Sequence, residues 1–339
     1  MDDVSPQLFF DAVQSFQKTA ALKAAIGLNL FKAICAGDDS VETIASTTGA
    51  APRGVRILCD YLVTLGFLSK SEGRFMPTPV TSTFLDPMSP ACVASVIDFL
   101  AAPEMLSLWM DDPVANVRNG GSPGLAVISA DNPIWEKFAR AMVPFMRPLA
   151  AEVAARVAAM TPAPLNVLDI AAGHGLFGIS VAQAVPGARV TAVDWAGVLH
   201  LARENAAAAG LGDRYQLCPG SAFDVDWGGD YDLVLLPNFL HHFDRTTCVS
   251  LLRKVRASLA PGGRTLAVEF VPDEDRTGPP TPVLFAFMML GSTPAGDAYT
   301  ASELDAMARD AGYAGATCEP LPPTPQTLVS FKLRFHVSD

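Results

Sequence analysis

The chain has 339 residues, half of them apolar, which is more than one domain usually holds and predicts two, each with its own core. A net charge of −11 repels nucleic acid and anionic membrane, leaving neutral or cationic small partners. The longest unbroken apolar run, Val283 to Leu290, is far short of the ~20 residues of a membrane span, and the acidic start MDDVSPQLFF is unlike a secretory signal, so a cytoplasmic protein is expected.

Apolar residues at helical spacing (Leu8, Phe9, Val13, Phe16, then Leu22, Ile26, Leu30) predict two amphipathic helices over residues 5–36, broken near Gly27 and stopped at Gly37. Asp39 with Glu42 reads as a capping box for a short helix ending near Gly49, and Pro52 can open the next. After Leu68, SKSEGRFMPT puts a Ser-Glu-Gly turn between two short extended runs, which completes a winged-helix pattern. Between Asp38 and Asp86, four basic residues face six acidic ones, too few cations to read DNA. The module is therefore expected to pack against a twin or the rest of the chain.

Residues 101–133, with NGGSPG at 119–124, read as a long irregular connection. A helix resumes at Pro133, with Trp135, Phe138, Met142, Phe145 and Met146 on one face, and another runs from Pro148 to Met160 before the breaker TPAP. Then the pattern changes. LNVLDI, ARVTAVD, RYQLCPG, YDLVLLP and RTLAVEFV alternate with helical stretches, which predicts parallel strands joined by crossovers. GATCEPLPP and QTLVSFKLRF close the chain as an antiparallel hairpin.

Leu165 to Gly178, LNVLDIAAGHGLFG, is a strand, a tight turn and a helix start. Gly173 and Gly175 would let the backbone approach a nucleotide-like ligand at free helix N–H groups. Asp194, closing the next strand, is placed to accept from a ribose diol. By itself GHGLFG suits a nicotinamide dehydrogenase equally well. Six scattered cysteines (Cys35, Cys59, Cys92, Cys218, Cys248, Cys318) offer no paired spacing for zinc or disulfides, and no metal site is read.

The later segments change the balance. Asp169 before the glycines, GSAFDVDW after the third strand, YDLVLLPNFLHHFD through the fourth, and the Pro261-Gly262-Gly263 turn before AVEF resemble the class I S-adenosylmethionine-dependent methyltransferases. With the winged helix added, nearly the whole chain resembles the two-domain small-molecule O-methyltransferases of plant caffeate and bacterial antibiotic-tailoring type. The resemblance implies an α/β fold: a Rossmann-like, mostly parallel seven-stranded sheet with an antiparallel C-terminal hairpin, preceded by the α-helical winged-helix domain. Its domains would be 1–100 for homodimerisation, 101–160 as a helical connection contributing to the substrate pocket, and 161–339 for S-adenosylmethionine.

Carried onto this chain, the resemblance counts Asp169 of the first motif among the cofactor-binding residues and puts Gly173 and Gly175 at the methionine end of the cofactor, Asp194 at the ribose and Trp195 at the adenine face. Ser221, Ala222 and Phe223 would flank the adenine, with Asn238 nearby and Phe243 stacking close to the cofactor. An aspartate is usual where Ser221 stands, and Ala171 replaces the first glycine of the motif. His241 takes the place of the histidine that removes the acceptor's proton, oriented by Glu269. His242 stands where an aspartate usually follows the base, and Ala298, beside Asp297, where a second glutamate is usual. A phenol near pKa ~10 and an imidazole near ~6.5 differ by ~5 kcal/mol, so the base must act as the methyl transfers. Phe138, Met142, Phe239, Phe285, Met288 and Met289 would wall the pocket. Oxygen is the expected acceptor, with carbon or nitrogen the alternatives; an acidic winged-helix regulator and an NAD-dependent oxidoreductase remain as readings of another class.

Overall fold

Cap and turn chemistry explains several element boundaries in a computed structural model that describes residues 5–124, 133–160 and 165–333. The chain divides into two compact units, Met1–Pro103 and Glu104–Asp339. In the first, helices span Gln7–Val13, Phe16–Gly27 and Leu30–Cys35, three where two were expected. Asn29, at φ 54, separates the last two. The Gln7–Val13 helix buries none of its residues, and Leu8, Phe9 and Phe16 are 83, 64 and 59% exposed: the apolar spacing is there, but it faces outward.

The next helix, Val41–Thr48, starts one residue later than the Asp39 and Glu42 pair suggested. Ser40 Oγ accepts from Thr43 N–H at 3.1 Å while Thr43 Oγ1 accepts from Ser40 N–H at 3.2 Å, which satisfies two of the helix's free donors. Asp39 accepts instead from the Arg74 guanidinium at 2.6 Å. The helix stops at Gly49, φ 66, and Pro52 opens Pro52–Thr64. Strands β1 (Leu68–Ser71) and β2 (Arg74–Pro77) then pair antiparallel. Their turn residues, Glu72 and Gly73, both have positive φ, as a tight hairpin requires. Leu30, Phe31, Ile44, Leu62 and Phe75 form this unit's core.

The second unit is built on a seven-stranded sheet: β3 (Asn166–Ile170), β4 (Arg189–Asp194), β5 (Tyr215–Pro219), β6 (Tyr231–Pro237), β7 (Leu259–Glu269), β8 (Gly315–Pro320) and β9 (Thr327–Lys332). Their order is β5-β4-β3-β6-β7-β9-β8. The first five run parallel, and β9 pairs antiparallel with β7 and β8. From β3 the chain steps outward through β4 to β5 and returns beside β3 as β6, so a crevice opens where β3 and β6 end. Alternate residues supply two cores. Val167, Val190, Leu235 and Val268 pack with helices Pro133–Met160, Leu176–Ala184 and Ala196–Ala208. Leu168, Val193, Val234 and Ala267 pack with helices Arg245–Ala257 and Ala301–Asp310. Burial on both faces is why these strands read as continuous apolar runs.

Three further expectations needed correction. The irregular connection expected over 101–133 holds helices Pro103–Met110 and Pro113–Asn119, the second capped by Asp112 Oδ1 on Ala115 N–H at 2.9 Å; residues 125–132, like the breaker at 161–164, lie outside the described residues. The two helices predicted over 133–160 are one, with Pro144 and Pro148 inside it. The Pro261-Gly262-Gly263 turn lies within β7, where the pairing with β6 shifts register between Tyr231 and Leu233. A helix at Pro280–Ser292, which the sequence reading did not identify, follows β7 in the chain.

Candidate active site

The carboxyl ends of β3, β4, β6 and β7 converge on the turn after β3. Asp169, fully buried, accepts from Gly178 N–H through Oδ2 at 2.9 Å, tying strand to helix, while its Oδ1 has no partner. Burial pushes this carboxyl up to about 7. Ala171, where the motif normally has glycine, takes φ 56. Gly173, also at φ 56, donates its N–H to Asp194 Oδ2 at 2.7 Å, and beyond its two chain neighbours only the Ala171 carbonyl oxygen, at 3.9 Å, comes near where its side chain would be. That face is open. Gly175 differs: a Cβ there would meet the Tyr215 hydroxyl at 2.6 Å, so its missing side chain makes room for protein.

At the β4 tip, Asp194 Oδ1 accepts from Trp195 N–H at 2.6 Å, and burial outweighs both backbone donors to push its carboxyl up to about 6. Trp195 caps the helix Ala196–Ala208 and is 38% exposed. His174, between the glycines, accepts from Leu176 N–H through Nδ1 at 3.2 Å, and burial lowers it to about 4. The loop after β5 turns on Ser221, whose Oγ accepts from Phe223 N–H at 3.1 Å. Phe223 is set edge to face on Phe243, with centroids 4.9 Å apart, and Phe243 likewise on Phe239 at 5.0 Å.

At the end of β7, the Glu269 carboxylate gathers the turn after β6. Its Oε1 accepts from Phe239 N–H at 3.1 Å and Leu240 N–H at 2.8 Å, and its Oε2 accepts from His241 Nδ1–H at 2.5 Å. Both side chains are 5% exposed. With Nδ1 occupied as a donor, the other ring nitrogen of neutral His241 keeps its lone pair. Phe285 meets the His241 ring edge to face at 4.7 Å and stacks on Phe270 at 4.0 Å. His242 lies beside His241, ring centroids 4.4 Å apart; burial first, and then the proximity of the second imidazole, hold it well below the ordinary imidazole value. Asp297 is paired with Arg276 at 3.3 Å and Ala298 is fully buried, so no second carboxylate joins Glu269 from that segment.

The residues expected at the site therefore group unevenly. His241, His242, Glu269, Phe239, Phe243, Phe223 and Phe285 form one connected set. Asn238, at φ 54, adjoins it and joins Met146 Sδ to Gln326, each at 3.5 Å. Met142 packs into the core on the sheet face that carries Val167 and Leu235, Met289 is buried, and Phe138 is 38% exposed. The sequence reading missed Gln326, whose buried Oε1 has no partner, and Lys254, whose ammonium holds three backbone carbonyls of the loop after β5. Lys254 lies three residues after buried Leu251 on the helix Arg245–Ala257, which is the signal that could have found it. Among the described residues no group of three His, Cys, Asp or Glu could hold a metal ion, and no helix is long and apolar enough to cross a membrane.

An open glycine turn, a carboxylate at the tip of the neighbouring strand and an aromatic loop suit a cofactor with an adenosine half. Comparison with known proteins agrees. Residues 114–314 match the O-methyltransferase domain family and residues 10–87 the O-methyltransferase dimerisation domain. The chain is 30% identical to 3-hydroxy-5-methyl-1-naphthoate 3-O-methyltransferase of Streptomyces sahachiroi, over 91% of this chain and 89% of that one. It is also 30% identical to acetylserotonin O-methyltransferase of Mus musculus molossinus, over 89% and 82%. A crystal structure assigned to the O-methyltransferases, from Nostoc punctiforme, superposes with a TM-score of 0.92 at 44% identity, covering 97% of this chain and 99% of that one. Human N-acetylserotonin methyltransferase shares the fold, with a TM-score of 0.82 at 20% identity over 99% and 100% of the two chains. The chain belongs to the O-methyltransferase family. It is an S-adenosylmethionine-dependent methyltransferase, and the dehydrogenase reading of GHGLFG falls away.

Proposed function

We propose that this enzyme methylates a hydroxyl oxygen of a small, largely apolar secondary metabolite, with His241 as the general base. The observation that carries this reading is the buried His241–Glu269 pair, at 2.5 Å. Bound S-adenosylmethionine supplies a sulfonium methyl as the electrophile. Glu269 would fix the proton on Nδ1, so that His241 would offer the lone pair of Nε2 to the acceptor's O–H and take that proton as the oxygen is methylated. Phe285 and Phe239 limit water at the base, and His242, held neutral, shapes the pocket without competing for the proton. Met142, Met288, Met289 and Phe138 would complete an apolar wall suited to flat or irregular acceptors.

On the cofactor side, Gly173 would face the methionine moiety, Asp194 the ribose diol, and Trp195 with Ser221, Ala222 and Phe223 the adenine, while Asp169 and Gly175 hold the turn from behind. Residues 1–100 would form a homodimer: the dimerisation-domain match and the outward apolar face of Leu8, Phe9 and Phe16 both favour a second copy as partner. Residues 101–160 would contribute to the pocket and 161–339 would bind the cofactor.

The test is an acceptor screen with methyl-labelled S-adenosylmethionine, followed by locating the new methyl on the product. Label on carbon or nitrogen would replace the oxygen reading. Once an acceptor is known, His241→Ala is expected to lower kcat by about 10²- to 10⁴-fold and leave S-adenosylhomocysteine affinity unchanged.

A further inference from the structure

One cation outside this machinery has all its hydrogen-bonding capacity committed to it. Lys254, on the helix Arg245–Ala257, points its ammonium into the loop after β5. Nζ donates to the carbonyls of Ala222 at 3.0 Å, Phe223 at 3.2 Å and Val225 at 2.7 Å. It also lies 3.9 Å from the centre of the Trp227 ring. An ammonium has three donors, and each finds a carbonyl, while the aromatic face takes part of the charge. No ion pair among the described residues includes it.

The loop's own bonds run the other way. Asp224 and Val225 N–H donate to Ser221 O, at 3.1 and 2.9 Å, and Gly220 N–H to Asp194 O at 2.9 Å. The turn around Ser221 therefore uses the loop's N–H groups and leaves three carbonyls converging on the far side. No N–H of the loop closes that side; Lys254 does. The same loop presents Phe223, 37% exposed, and is tied through Gly220 to the strand whose next group is the Asp194 carboxylate.

We propose that Lys254 is a positioning residue for the cofactor, setting the shape of the loop 221–227 so that it receives the adenine without touching it. The proposal rests on the reading of Ser221, Ala222 and Phe223 as the adenine-side segment. The reacting groups would be the sulfonium, the acceptor oxygen and the His241 base, so Lys254 governs how tightly cofactor is held rather than how fast the methyl moves.

The experiment compares wild type, Lys254→Met and Lys254→Arg as full-length protein. It measures S-adenosylhomocysteine binding by calorimetry, amide hydrogen exchange over residues 220–227 with and without that ligand, and kcat and KM for S-adenosylmethionine. Losing three charge-assisted bonds, K254M is expected to weaken S-adenosylhomocysteine binding by roughly tenfold or more, speed exchange in the unliganded loop, raise KM in parallel and keep kcat at saturating cofactor within about twofold. The guanidinium of K254R keeps a cation over Trp227 but cannot place three donors on three converging carbonyls. A two- to fivefold loss is expected there, and this variant carries the test should K254M not fold. Ligand protection of 220–227 in wild type, with both variants binding as tightly as wild type, overturns the proposal alone. No protection of that loop in wild type overturns the adenine-side reading and the proposal with it. A fall in kcat with binding intact also overturns it.

Discussion

Glu269 holds His241 from behind through Nδ1, and it does so with only one of its two oxygens. The other accepts the N–H groups of Phe239 and Leu240, so the carboxylate that orients the ring also closes the turn that carries it. Glu269→Gln separates these tasks. The amide oxygen can keep both backbone donors, but the amide nitrogen then faces Nδ1 and must find an acceptor there. The imidazole responds by moving its proton to Nε2, which removes the lone pair from the acceptor side. E269Q is expected to keep its fold and cofactor affinity while kcat falls by ~10²-fold or more. Single-turnover methyl transfer under saturating cofactor measures it, and a variant with wild-type kcat would show that the tautomer is immaterial.

Gly296 bears on the same turn from the opposite side. Its N–H donates to Thr293 Oγ1 at 2.8 Å, and a Cβ at this position would overlap the carbonyl oxygen of His241 and crowd Thr293. Backbone cannot yield as a flexible side chain can, so Gly296→Ala must shift the histidine's turn. A displacement of ~1 Å at a base costs on the order of 10²-fold in rate. G296A is expected to lose kcat to that extent with S-adenosylhomocysteine affinity retained, as read by steady-state kinetics beside calorimetry.

Much of this was legible in the sequence, for a physical reason that differs between elements. Strands β3, β4 and β6 are largely buried on both faces, so their central residues are mostly apolar, and polar residues interrupt the runs near their ends: Asp169 in β3, Asp194 at the end of β4 and Asn238 just past β6. His241 and Glu269 stand just past or at such ends, where polar residues interrupt apolar runs. The helices Pro103–Met110 and Pro113–Asn119 were hidden because proline at a first turn reads as a breaker, although Asp112 caps the second. The Pro280–Ser292 helix carries apolar residues nearly all round, which blurs helical periodicity. Lys254 left little trace because its partners are carbonyls, which every residue has. The outward turn of Leu8, Phe9 and Phe16 was equally invisible, since spacing shows that a face is apolar and not what covers it.

Ala171 carries a conformational cost that the usual glycine would avoid. At φ 56, an L side chain is strained by ~1–2 kcal/mol, partly offset because glycine is freer by ~0.4–1 kcal/mol in the unfolded chain. Ala171→Gly is therefore expected to stabilise the protein by ~0.5–1 kcal/mol, a rise of a few degrees or less in melting temperature. Thermal unfolding without cofactor measures it. A lower melting temperature would mean that the Ala171 methyl makes packing contacts worth more than the strain.

Asp169 predicts how stability depends on pH. Its carboxyl is pushed up to about 7, by burial first, against the Gly178 N–H and with the Asp194 charge adding to the rise. In the unfolded chain it titrates near ~3.9. Between ~4 and about 7 the folded protein therefore keeps a proton that the unfolded chain has lost. The stability linked to this site is complete below pH ~4 and is lost as pH rises through about 7. Asp169→Asn is neutral throughout and can still accept from Gly178 N–H through its amide oxygen, so it removes this slope while leaving every other titrating group in place. Melting temperatures of the two proteins, measured without cofactor from pH 5 to pH 9, are expected to diverge in favour of D169N as pH rises. A constant difference across that range would mean that Asp169 is ionised in the folded chain even at pH 5, with its unpartnered oxygen solvated by a water beneath the glycine turn.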